Sequence, residues 1–131
     1  MKNLHILLGI GLLVALIGIS FAYAPLANPI SPYVGENIAG GNGNTAPVTL
    51  SYHVNDDTNG RMACRVYMSE PHVYSPFNLV ATDEFSYTAY SWATRSVNLN
   101  LMRNRNYHWF ISCTDGEGLT MDSAIWAFRL N

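Results

Sequence analysis

Residues 101–118 read Leu-Met-Arg-Asn-Arg-Asn-Tyr-His-Trp-Phe-Ile-Ser-Cys-Thr-Asp-Gly-Glu-Gly, and their reading decides the fold. Tyr107, Trp109, Ile111 and Cys113 fall on alternate positions, which is how a strand with one buried face is spelled. The run stops at Thr-Asp-Gly-Glu-Gly, a set of residues suited to turns. Upstream, Met62, Cys64, Val66 and Met68 repeat the same period. Both patterns point to an all-β chain with a buried core between sheets.

Working outward, further strands are expected. Val48, Leu50, Tyr52 and Val54 alternate with Thr49, Ser51 and His53, and Asp56-Asp57-Thr58-Asn59-Gly60 turns that strand into Met62–Met68 as a hairpin. Ala27–Tyr33 reads as a proline-tolerant edge strand, and Gly35–Asn44 as a loop. Residues 69–95 are the least regular and suggest one or two short edge strands, Asn78–Thr82 and Ser86–Trp92. Val97, Leu99 and Leu101 form the next alternating run. Ala124–Leu130 closes the sheet with Trp126, Phe128 and Leu130 inward. Short strands at this spacing predict an antiparallel β-sandwich of about seven strands.

A chain of 131 residues makes one such domain. Its single lysine is Lys2, and the formal net charge of −2 leaves no basic footprint for nucleic acid. Leu4–Ala24 is apolar apart from His5 and Ser20, and an apolar N-terminal helix is expected there. It reads either as a signal peptide cleaved before Tyr23, with Ser20 and Ala22 at the −3 and −1 positions, or as an uncleaved anchor through residues 4–24. The anchor is preferred. The domains are then 1–24 and 25–131. With Lys2 inside and no further basic residue before Arg61, the second part faces outward, extracellular or on the cell surface. Outside is oxidising, so Cys64 and Cys113 point to a disulfide rather than free thiols.

Leu101, then Tyr107 six positions on, then Trp109 and Asp115-Gly116, resembles the corner between two strands of fibronectin type III domains. The wider pattern is similar to Ig-like β-sandwich repeats of microbial cell-surface proteins: an Asp-rich turn, a Cys-containing strand, a Tyr-x-Trp strand ending in Cys-x-Asp, and a last strand like Trp126–Phe128. The resemblance covers roughly residues 27–131, with 69–95 unmatched. It implies that the Tyr107 hydroxyl bonds back to the backbone near Leu101 and that Trp109 and Trp126 are core. It also places Cys64 and Cys113 on neighbouring strands of one sheet, where a non-hydrogen-bonded pair can hold a bridge. Fold carries little about function, since this architecture hosts many unrelated activities.

Candidate sites are few. Asp56, Asp57 and Asn59, with Asp115 or Glu117, offer oxygen ligands for calcium, yet tight turns prefer the same residues and no calcium-loop spacing is present. His53 and His108 sit at outward positions of strands in different sheets, and with His72 they make no convergent metal or catalytic set. No nucleophile motif is present, so neither enzymatic activity nor a cofactor is expected. Tyr67, His108, Phe110 and Ile125, flanked by Arg65 and Arg129, line one outward sheet face and have the composition of a protein interface. The plainer account is that residues 69–95 fold across that face. Tyr74, Tyr87, Tyr90 and Trp92 form an aromatic insertion suited to stacking on sugars or on another subunit, or simply to packing on the sandwich.

The favoured expectation is a non-enzymatic structural or adhesive module at the cell surface, contacting other surface proteins or copies of itself. One alternative is a pilin-like filament subunit with the apolar helix in the filament core. The other is a secreted carbohydrate-binding module.

Overall fold

The computed structural model describes residues 22–70 and 76–131. Most of the apolar stretch 4–24 lies outside them, so the N-terminal helix is not described. Its last residues, Ala22–Ala24, are irregular rather than helical, as the approach to Pro25 favours. No helix among the described residues is long and apolar enough to cross a membrane.

Nine strands make up the described fold: β1 (Leu26–Ser31), β2 (Glu36–Ile38), β3 (Thr45–Asn55), β4 (Gly60–Ser69), β5 (Asn78–Tyr87), β6 (Ala93–Met102), β7 (Arg105–Thr114), β8 (Thr120–Asp122) and β9 (Trp126–Leu130). They form a three-stranded sheet ordered β1-β3-β6 and a six-stranded sheet ordered β2-β9-β7-β4-β5, with β8 also on β7. The sheets face each other through alternate side chains: Val48, Leu50, Tyr52 and Val54 from β3 meet Met62, Cys64, Val66, Trp109 and Ile111, all buried. Period-two burial in the long strands follows directly from the pleat.

Cys64 and Cys113 are register partners on β4 and β7, bonded to each other, with Cα atoms 4.1 Å apart. That close spacing belongs to the non-hydrogen-bonded pairs of an antiparallel ladder, where side chains approach most nearly. The bridge therefore staples two neighbouring strands of one sheet, and both cysteines are fully buried.

The sandwich departs from the sequence expectation in four places. The stretch 35–44 is not all loop: β2 runs parallel to β9, so the larger sheet is not purely antiparallel. The irregular stretch 69–95 holds one continuous ten-residue strand, β5, and the start of another, β6. Residues 88–92 are the turn between them, so Ser86–Trp92 is not a strand. Finally, β8 and β9 lie on the same side of β7, and residues 123–125 bulge out between them opposite Phe110 and Ile111. The last strand thus begins at Trp126, and Ile125 belongs to the bulge.

β5 was obscured because its inward row is Ala81, Asp83, Phe85 and Tyr87, with a charge where an apolar residue was sought. Asp83 is matched across the sheets by Arg95 on β6, which donates from Nε (2.8 Å) and Nη2 (2.6 Å). The Tyr52 hydroxyl donates to the same carboxylate at 2.7 Å. Arg95 also lies 4.4 Å above the Phe85 ring. This bidentate pair closes the seam where the two edge strands β5 and β6 meet.

Candidate functional site

The outer face of the six-stranded sheet is built by alternation. On β4 and β7 the residues that do not face the core include Arg65, Tyr67, His108 and Phe110. Tyr67 and Phe110 are register partners, and their rings stack with centroids 5.1 Å apart and planes 12° from parallel. Phe77, just before β5, sets its edge against Phe110 at 5.0 Å. Three aromatic rings thus form a half-buried ridge on the sheet exterior, and the segment leading into β5 covers part of it through Phe77. Ile125 lies in the bulge opposite Phe110 and Ile111 and is 58% exposed.

His108 lies two residues before Phe110 on the same face of β7. With Asn37, Asn106, Ala127 and Arg129 it borders a shallow hollow of about 260 Å³. The Arg129 guanidinium donates to the Asn131 side chain at 2.9 Å, which holds it along the sheet surface. The face therefore joins an aromatic ridge, an exposed aliphatic residue and a polar hollow with one arginine. That combination suits contact with another protein surface and provides no nucleophile–base geometry.

The predicted aromatic insertion does not stay together. Tyr74 lies outside the described residues. Tyr87 is buried: its inward position on β5 puts the ring in the core. Its hydroxyl accepts the Asp56 amide at 2.7 Å and faces the carbonyls of Asp56 and Ser91. Among the described residues of the set, Tyr90 (78%) and Trp92 (53%) are exposed, on the β5–β6 turn, where Trp92 leans on His53 with ring centroids 4.3 Å apart. His53 and His108 belong to different sheets.

The framework residues fall as follows. Tyr107 is buried and its hydroxyl donates to the Met102 carbonyl at 2.7 Å, next to Leu101, which packs against the core. Trp109 is fully buried beneath the sheet, and Trp126, its register partner, is half-buried.

The acidic turn divides. Asp57 accepts the Tyr23 amide at 3.0 Å, and the Asn59 side chain accepts the Ala89 amide at 2.7 Å. Glu117 is exposed. Asp56 and Asp115 are buried, which sequence reasoning missed because both sit in stretches rich in turn residues. Among the described residues no set of three His, Cys, Asp or Glu side chains converges as for a metal. A second hollow, of about 400 Å³, lies at the β5–β6 seam beside Glu70 and Pro76, the residues flanking stretch 71–75.

No family profile and no curated protein matches this chain by sequence. By fold, it is similar to part of a β-glucosidase from Listeria innocua, at 9% identity and a TM-score of 0.54, over 84% of this chain and 16% of that one. The same enzyme in complex with isofagomine aligns at 12% identity and a TM-score of 0.52, again over 84% and 16%. A superoxide reductase (neelaredoxin) from Ignicoccus hospitalis is 9% identical over 84% of this chain and 82% of that one; its TM-score of 0.46 gives it no weight. At such identities the likeness concerns fold alone, and the chain spans only a small part of the β-glucosidase. What fold and site define is a disulfide-bridged, all-β sandwich.

Proposed function

We propose that this chain is a non-enzymatic Ig-like module of the fibronectin type III kind, displayed outside the cell, that makes protein–protein contacts through the outer face of its six-stranded sheet. The observation that carries this reading is the Tyr67–Phe110–Phe77 ridge with Ile125 in the bulge opposite Phe110. Stacked aromatics next to an exposed aliphatic side chain and an arginine are the materials of interface hot spots. The buried disulfide supports an oxidising compartment. Residues 4–24, if retained, would hold the module at a membrane with the sandwich outside.

The carbohydrate-binding alternative loses Tyr87 to the core and, among the described residues, keeps Tyr90 and Trp92. The filament alternative rests on residues outside those described. The contact reading is tested with Ile125→Asp and Tyr67→Ser in the displayed full chain, scored by cell–cell aggregation in a flow cytometer. Each substitution should weaken aggregation by about tenfold, the effect of losing a central apolar anchor. Unchanged aggregation with either variant removes this face from consideration.

A further inference from the structure

Asp56 follows the last residue of β3 and enters the hairpin turn to β4, and its backbone is fastened on both sides. Its amide donates to the Tyr87 hydroxyl at 2.7 Å, and its carbonyl accepts the Tyr90 amide at 2.8 Å. The side chain is consequently held inside: the residue is only 3% exposed, and neither carboxylate oxygen has a hydrogen-bond partner. Asp115, where β7 gives way to its turn, is 6% exposed. Its Oδ1 accepts the amides of Glu117 and Leu119 at 2.9 and 3.0 Å, while its Oδ2 has no partner.

These two turns lie against each other. A Cβ on Gly116 would stand 3.7 Å from the Arg61 carbonyl oxygen and 4.0 Å from that of Asn59. Main-chain oxygens at the start of β4 and in the turn before it therefore adjoin Gly116, the residue that follows Asp115. Burial pushes the Asp56 carboxyl up to about 6, and the charges of Asp115 and Asp57 push in the same direction. The main-chain amides of Asp57 and Thr58 lie close enough to temper that rise without making a hydrogen bond to the carboxylate, and no cationic side chain is among its causes. Arg61, the nearest arginine in sequence, is committed to Glu84 at 2.7 Å on the outer face.

Two buried carboxylates with three unpartnered oxygens and no counter-charge are costly unless something positive joins them. A shared proton neutralises one charge and satisfies two oxygens, one on each carboxylate, leaving the third and one full charge. A divalent, oxygen-preferring cation neutralises both and takes all three oxygens, with carbonyl oxygens and water filling the remaining positions. We infer that Asp56 and Asp115 form a calcium-binding site that ties the β3–β4 turn to the turn after β7. This pair differs from the contiguous Asp56-Asp57-Asn59 set, because Asp57 and Asn59 are committed to the amides of Tyr23 and Ala89. Two carboxylates predict weak affinity, with a dissociation constant on the order of 10⁻⁴ M, in the range of extracellular modules.

The test uses the full chain in mild detergent, stripped with chelator and titrated with calcium chloride by calorimetry, with thermal unfolding followed in parallel. Single-site binding is expected, together with a rise in melting temperature of roughly 10 °C when calcium exceeds its dissociation constant a hundredfold. Asp56→Asn and Asp115→Asn should each abolish both responses, while Asp57→Asn should keep them. In chelator Asp56→Asn should melt at or above the wild type, since it removes an unpaired buried charge. Absence of calcium heat and of any melting shift in the wild-type chain overturns the site, whatever the variants do. A shift that survives in Asp56→Asn also overturns it, by placing the ion elsewhere, and an equal response to magnesium chloride overturns the assignment to calcium.

Discussion

Asp83 and Arg95 show how a single pair of residues can hold a seam that apolar packing leaves open. The inward residues of β5 and β6 at this edge are half-buried rather than buried, so the bidentate pair and the Tyr52 hydroxyl replace core contacts there. Breaking one partner of a half-buried, hydrogen-bonded pair is costlier than the pair is worth, because the other is left uncompensated. Asp83→Ala should therefore lower stability by about 2 kcal/mol, and Tyr52→Phe by about 1 kcal/mol. Urea unfolding of the two single variants and the double variant measures their coupling. The Arg95 guanidinium holds the Asp83 carboxyl below the usual carboxylate range. Because the folded pKa is depressed, this stabilisation is complete above about pH 4 and is lost as pH falls through the folded value. Asp83→Ala should thus flatten the acid limb of the stability curve, and an unchanged acid limb contradicts the assignment. Asp56 acts with the opposite sign: its raised folded pKa makes the metal-free protein less stable as pH climbs from about 4 towards 6.

Strands with an uninterrupted alternating row were readable directly, and strands without one were not. β3, β4 and β7 each place apolar residues at every second position, so their cores, the hairpin between β3 and β4, and the candidate outer face could be written from spacing alone. β5 hid its strand character behind Asp83, whose partner Arg95 is twelve residues away and in the other sheet. The turn after it was hidden for a backbone reason: Tyr90 takes the left-handed conformation at φ 62°, where turn signals look for glycine or asparagine. β2 and β8 have three residues each, too few for any period, and exist because β9 and β7 supply ladders for them. Spacing offered Asp115 and Glu117 alike as additions to the Asp56-Asp57-Asn59 set, since which of them adjoins that turn is a property of strand register. At this same scale, the bridge between β4 and β7 closes a loop with a sequence separation of 49. The chain-entropy argument gives it roughly 4 kcal/mol, so Cys64→Ala with Cys113→Ala should lower unfolding stability by about that amount. Retention of wild-type stability would place its role outside folding.

At the scale of the whole molecule, the two sheets have unlike exteriors. The three-stranded sheet shows solvent a polar row, with Thr49 and Asn98 hydrogen-bonded to each other at 2.7 Å across β3 and β6. The six-stranded sheet carries the aromatic ridge, the His108 hollow and Ile125. Such asymmetry suits a module that meets partners on one side and water on the other. Exposed Tyr90 and Trp92 lie on a turn instead, joined to the end of the sandwich from which residues 22–25 lead away, and Tyr23 is tied to the same end through Asp57. Site-specific photo-crosslinking on intact cells tests the contact face most directly. A photoreactive residue is placed at His108 or Ile125 on one sheet and at Asn98 on the other. The account predicts discrete protein adducts from positions 108 and 125 and none from 98; adducts equal at all three, or confined to 98, would contradict it.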